Sequence, residues 1–153
     1  MDAAPQSGRH NALALDASGK PVIAYYEANS KILKFAAANN SIPPFSFAVS
    51  TVDNNGQVGQ YCSLGVDGNG FYHISYYDEA NRDLKYALYD GATWSTQIVD
   101  FGGDVGLWSS LVIDSSTQIP HILYYDSTNR QWKYTIDKPW KIEGQIFLPL
   151  ISR

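Results

Sequence analysis

The side chains best suited to gripping a ligand recur in register along this 153-residue chain. Arg82 and Arg130 hold equivalent loop positions, with Lys31 as the first of the series, and Glu27, Asp78 and Asp126 precede those loops. A cation and a carboxylate on neighbouring connections offer charge-assisted hydrogen bonds to sugar hydroxyls. Tyr61 and Trp108, matched by His10, stand where the first extended stretch of each unit begins. A ring there can receive the apolar face of a sugar. Both sets also have a structural reading. Acid and base can simply pair across a hairpin, and the rings can pack between sheets.

Other chemistries find less support. No nucleophile elbow, phosphate loop or zinc motif is present. A carboxylate pair for glycoside hydrolysis can be assembled on paper, but no spacing singles one out. Cys62 is the single cysteine, so no disulfide forms within the chain, and His10, His73 and His121 are far apart in sequence. His73 and His121 align with Val22, so their position accepts an apolar residue, and neither a metal nor any other cofactor is expected. The net charge is −4 and no basic run exists, which argues against nucleic acid as a partner. No stretch approaches the roughly 20 apolar residues of a membrane helix. The start, MDAAPQSGRH, lacks the apolar core of a signal peptide. Composition alone leaves the compartment open.

The elements that must carry these residues come in three copies. ALALDASGKPVIAYYEANSKILKFAA, SLGVDGNGFYHISYYDEANRDLKYAL and SLVIDSSTQIPHILYYDSTNRQWKYTI align throughout. Asp16, Asp67 and Asp114 fall in register, 51 and then 47 residues apart, followed by Lys34, Lys85 and Lys133. Recurrence in every unit suits structural work: Asp accepting turn amides, Lys lying along an aromatic face. Within unit two, Leu64 and Val66 alternate with small residues, and Tyr72 to Tyr77, Leu84 to Tyr89 and Trp94 to Val99 form three more strands. Asp67-Gly68-Asn69-Gly70 and Asp90-Gly91 supply the turns. Glu27 to Ala37 has alanines that favour helix, but its register with the other units predicts loop plus strand. No helix is expected.

Four antiparallel strands per unit of this length is the period of a β-propeller blade. The fold expected is all-β, with three four-stranded blades per chain. Residues 1–10 form a segment at a blade boundary, where Met1-Asp2 aligns with Val52-Asp53 and Val99-Asp100. Blade 1 is 11–53, blade 2 is 54–100 and blade 3 is 101–146, its last strand at Trp140 to Ile146. Residues 147–153 are a tail. Ile74 and Tyr76 point to one side of their strand, His73, Ser75 and Tyr77 to the other, so the sheet is sandwiched between neighbours. Rings usually have four to eight blades. Three blades therefore predict self-association, with a six-bladed homodimer the favoured count, blade three of each chain against blade one of the other. The same boundary also fits a portion of a longer propeller.

The units resemble the repeats of sialidase-like and lectin-type β-propellers over nearly the whole chain. Tyr89-Asp90-Gly91-Ala92-Thr93-Trp94 resembles a shortened Asp-box hairpin; unit three keeps Asp137 and Trp140, and unit one has Phe47 after a longer loop. In that family the Asp-box is a structural turn and carries no catalytic residue. A sialidase-like mechanism would want several converging arginines, an activated Tyr and acids, and this chain has four arginines, two of them near its ends. Small fucose-type lectins are similar in another way, assembling short chains into six-bladed rings with sugar sites between blades, although their binding motif is not matched here residue by residue. IFLPLISR resembles the tails of some secreted bacterial repeat proteins, a hint of export. The resemblance implies a non-catalytic, carbohydrate-binding protein with Tyr61, Trp108, His10, Arg82, Arg130, Asp78 and Asp126 as candidate ligand contacts. A structural or protein-interaction module, or part of a larger extracellular propeller, is the alternative. A glycosidase-like fragment stands third.

Overall fold

A computed structural model describes residues 7–136. Those residues form eleven strands and no helix. Sheet 1 contains β1 (Ser7–Leu15), β2 (Pro21–Glu27), β3 (Ile32–Ala38) and β4 (Phe47–Asp53). Sheet 2 contains β5 (Val58–Val66), β6 (Tyr72–Asp78), β7 (Asp83–Tyr89) and β8 (Trp94–Asp100). Sheet 3 contains β9 (Val105–Ile113), β10 (Pro120–Asp126) and β11 (Gln131–Ile136). Every strand pairs antiparallel with the next in its sheet. These up-and-down sheets are consistent with propeller blades. The fourth strand expected at Trp140 to Ile146, the Asp2 boundary and the 147–153 tail lie outside the described residues.

Local chemistry explains the hairpins. Asp16 Oδ1 accepts the amides of Ser18 and Lys20 at 2.8 and 2.9 Å. Asp67 Oδ1 does the same for Asn69 and Phe71, and Asp114 Oδ1 for Ser116. These are the Asx turns the repeated aspartates predict. Gly19 and Gly70 supply the positive φ that closes the first two turns, and Gln118 takes that conformation in the third. The alanine-rich stretch after Glu27 is loop and then β3, as its register requires.

The first strands differ from expectation at their starts. β1 begins at Ser7, inside the segment read from sequence as preceding blade 1. The ladder between β1 and β2 breaks between Ser7 and Ala12, and the same break recurs in β5 and β9. A bulge thus sits within the strand, where the sequence alone shows only a run lacking alternation.

The sheets stack face to face. Val22, Leu33 and Phe35 of sheet 1 pack on Leu64, Ile74 and Tyr76 of sheet 2. Leu84 and Tyr86 pack on Leu111, Ile122 and Tyr124 of sheet 3. Residues 73–78 are all buried. Ile74 and Tyr76 face sheet 1, while Ser75 and Tyr77 bond to Ser109 and Asp104 on the other side. Full burial of Ile74 contributes roughly 1.5–3 kcal/mol. Sheet 2 is the sandwiched layer its sequence predicts.

Candidate functional site

The bulges position the aromatic candidates. His10, Tyr61 and Trp108 have φ of 48°, 51° and 50°, each in the left-handed region within its register break. That conformation is uncommon for bulky residues, and a bulge re-aims the side chain it carries. The result is a continuous arc of rings across three sheets. His10 and Tyr61 meet edge to face with centroids 4.6 Å apart, and Tyr61 and Trp108 at 5.7 Å. Each also touches the second strand of its own sheet: His10 with Tyr26, Tyr61 with Tyr77, Trp108 with Tyr125. Trp108 is 53% exposed, His10 is exposed and Tyr61 is half-buried. The rings thus contact one another across the sheets while His10 and Trp108 are also exposed to solvent.

Polar groups surround the arc at the same end of the sheets. Gln60 Nε2 donates to Glu79 Oε2 at 2.6 Å, and Lys31 Nζ to Gln57 Oε1 at 2.7 Å. Tyr77 donates its hydroxyl to Asp104 at 2.8 Å. Burial pushes the Tyr77 phenol up, reinforced by the Asp104 carboxylate. His10 is held below the ordinary imidazole value by partial burial and by Arg9.

The charged candidates divide into two groups. Arg82 and Arg130 are exposed at the ends of the β6–β7 and β10–β11 loops, with φ of 63° and 55°. Asp78 and Asp126 are 2% and 0% exposed and present no surface to a ligand. Asp78 accepts the amides of Ala80 and Asn81 and the Asn81 side-chain amide at 2.9–3.1 Å. Asp126 accepts both amide groups of Asn129. The cations they face are Lys85 at 4.0 Å and Lys133 at 3.5 Å, inside the sheets, and not the arginines of their own loops. These two carboxylates shape the loops that carry Arg82 and Arg130. Glu27 shapes the first loop in the same way, accepting the amides of Asn29 and Ser30.

Two features escape the sequence reading. Asp53 and Asp100, which mark blade exits in the sequence, reach into the following sheet to bind Lys85 with Tyr76 and Lys133 with Tyr124. They stand 23 and 24 residues before the Tyr and 32 and 33 before the Lys they bind, a near-constant spacing that by itself shows no contact. Between sheets 1 and 2, at the end opposite the arc, lies a cleft of about 420 Å³ lined by Phe35, Tyr72, Tyr89 and Trp94. Of these, Phe35 and Trp94 belong to repeated series and Tyr72 and Tyr89 do not. Tyr72 is replaced by Pro21 and Pro120 in the other units, so periodicity hides the cleft.

Among the described residues no group of three or more His, Cys, Asp or Glu is arranged to hold a metal ion. Burial pushes the Cys62 thiol up to about 12, which leaves it a hydrogen-bond donor to the His10 carbonyl.

No family model and no curated protein matches this sequence. Among solved structures the chain is similar to a fucose lectin from Kordia zhangzhouensis, determined in complex with methyl-fucoside. The identity is 14% and the TM-score 0.51, over 86% of this chain and 94% of the lectin chain. At that identity the likeness is one of fold, an all-β arrangement shared with a lectin.

Proposed function

We propose that this protein is a non-catalytic, carbohydrate-binding protein whose ligand lies along the His10, Tyr61 and Trp108 arc. The observation that carries the reading is the repeated left-handed bulge, which brings one ring per sheet into a connected, partly exposed row. Backbone strain of this kind costs of order 1–3 kcal/mol per residue and persists where the surroundings enforce it. The apolar C–H face of a sugar can pack on exposed aromatic surface there, and Arg82, Arg130 and Lys31 stand at the same end to donate to hydroxyls. Several shallow sites on one rigid body would gain avidity from multivalent glycans. The fold likeness to a fucose lectin supports the class of ligand without identifying the sugar.

A glycan array followed by saccharide titration of Tyr61→Ala/Trp108→Ala tests the reading. The double variant should lose binding, while Trp94→Ala in the aromatic cleft should keep it. Loss with Trp94→Ala alone would move the ligand to the cleft. Absence of all carbohydrate binding at millimolar sugar would remove the proposal. The second reading, a protein-interaction module, is favoured by the exposed apolar side chains on both outer sheet faces, such as Leu13 and Trp132.

A further inference from the structure

We propose that a second copy of this chain docks its sheet 1 onto the open face of sheet 3, repeating the contact that already joins sheets 1, 2 and 3. The two internal junctions follow one rule, and the outer faces carry both halves of it. Leu64 and Leu111 are each 8% exposed because they pack on the sheet before them; their counterpart Leu13 is 67% exposed. Leu33 and Leu84 are 0% exposed beneath the sheet after them; their counterpart Trp132 is 59% exposed. Phe35 and Tyr86 are likewise covered, at 5% and 3%, while Tyr134 is 52% exposed. Register, not composition, decides which member of each series is bare.

Polar and backbone contacts obey the same rule. Val58 N donates to Lys31 O and Val105 N to Arg82 O, both at 3.0 Å. In the next step of that series Ser7 N faces Arg130 O of another copy. Cys62 donates to the His10 carbonyl and Ser109 to the Tyr61 carbonyl, so Asn11 is placed to donate to the Trp108 carbonyl. Gly59 and Gly106 lie so close to the backbones of Leu33 and Leu84 that an added Cβ would sit 2.9 and 2.8 Å from their Cα atoms. Gly8 holds the same place with φ +90° and nothing within 4 Å. Beside it, a concavity of about 330 Å³ is lined by Leu13, Ile23 and Ala36, counterparts of Leu64, Ile74 and Ala87, which fill the internal junction.

One face is thus the complement of the other, and neither complements itself. Such a contact is head to tail, and it closes a ring when the rotation allows. Two copies give six sheets, within the range of closed propellers. At each junction His10 of one copy would meet Trp108 of the next and extend the aromatic arc across copies. The assembly rests on sheet geometry and stands or falls separately from the carbohydrate reading.

The test is the mass in solution by sedimentation velocity, from about 1 to 100 µM. The wild-type chain should run at twice its 17.0 kDa mass. Leu13→Asp and Trp132→Asp each put a carboxylate on an exposed position, so circular dichroism should be unchanged. Each alone should weaken association at least about 30-fold. An equimolar mixture restores one intact junction and should associate at concentrations where either variant alone is monomeric. A mixture that stays monomeric, or variants that assemble like wild type, overturns the head-to-tail contact. A wild-type chain that remains at 17.0 kDa overturns the whole proposal and points to residues 137–153 or a different partner as what covers the face.

Discussion

Lys85 Nζ lies 2.5 Å from Asp53 Oδ2, joining the third strand of sheet 2 to the last residue of sheet 1. The Tyr76 hydroxyl donates to the same oxygen at 2.7 Å. Sheet 3 repeats the arrangement with Lys133, Tyr124 and Asp100. Each lysine also lies over the ring of its tyrosine, at 5.6 and 5.9 Å. Lys85 and Lys133 of the repeated series therefore lie along an aromatic face, and they also latch sheets 2 and 3 to the sheet before.

Removing one partner from a buried pair leaves the other charge uncompensated. Asp53→Ala leaves Lys85, whose side chain is 8% exposed, with only Asp78 at 4.0 Å, and should cost about 3 kcal/mol. Asp100→Ala should cost less, because the side chains of Asp100 and Lys133 are 15% and 17% exposed and water reaches both. Urea unfolding of the two variants checks the order.

Acid should attack this latch. Burial alone would raise the Asp53 carboxyl, but Lys85, the Asn55 amide and the Tyr76 hydroxyl outweigh it and hold the group below its ordinary value. A folded value below the unfolded one stabilises above the ordinary carboxylate range and is lost as pH falls through the folded value. As pH falls below about 4, the stability of wild type should decline more steeply than that of Asp53→Asn. Equal slopes would assign the acid sensitivity elsewhere.

His73 offers a second titration. Burial lowers it below the ordinary imidazole value, with Asp67 opposing, and its Nδ1 shares a hydrogen bond with the Tyr86 hydroxyl. The neutral ring is the folded form, so stability is present above about pH 6.5 and declines below it. Sheet 1 has Val22 and Phe35 at the equivalent positions. His73→Val removes the imidazole partner of the buried Tyr86 hydroxyl and should cost about 1 kcal/mol. That variant lacks the titrating ring, so its decline below pH 6.5 should flatten, and adding Tyr86→Phe should recover part of the lost stability. A double variant as unstable as the sum of its parts would show that the pair is not coupled.

Close approach fixes one series of glycines. Gly106→Ala forces a Cβ against the Leu84 backbone at φ +101° and should destabilise by about 2–4 kcal/mol. Gly70→Ala, at φ +81° with nothing within 4 Å, carries only the backbone penalty and should cost about 1 kcal/mol. Thermal unfolding of the pair separates steric approach from conformational preference.

Much of this protein is written in local chemistry. The Asp turns, the period-2 strands and the two-sided burial of residues 73–78 follow from residue type and spacing, because hairpins depend on contacts a few residues apart. The repeat aligned His10, Tyr61 and Trp108 for the same reason. Sequence could not show that Asp78 and Asp126 turn inward while Arg82 and Arg130 face solvent, since a carboxylate before a loop reads alike in either role. Nor could it show Asp53 and Asp100 crossing to the next sheet, or a cleft whose walls come from Phe35 on one sheet and Tyr72 on another. Those depend on how sheets stack, and stacking brings together residues 23 to 33 positions apart whose meeting no period encodes. Sequence determined the unit and its repetition. Only the tertiary structure decided which copies of each repeated side chain are covered, because burial belongs to neighbours in space and, among the described residues, the outermost sheets have a neighbour on one side alone.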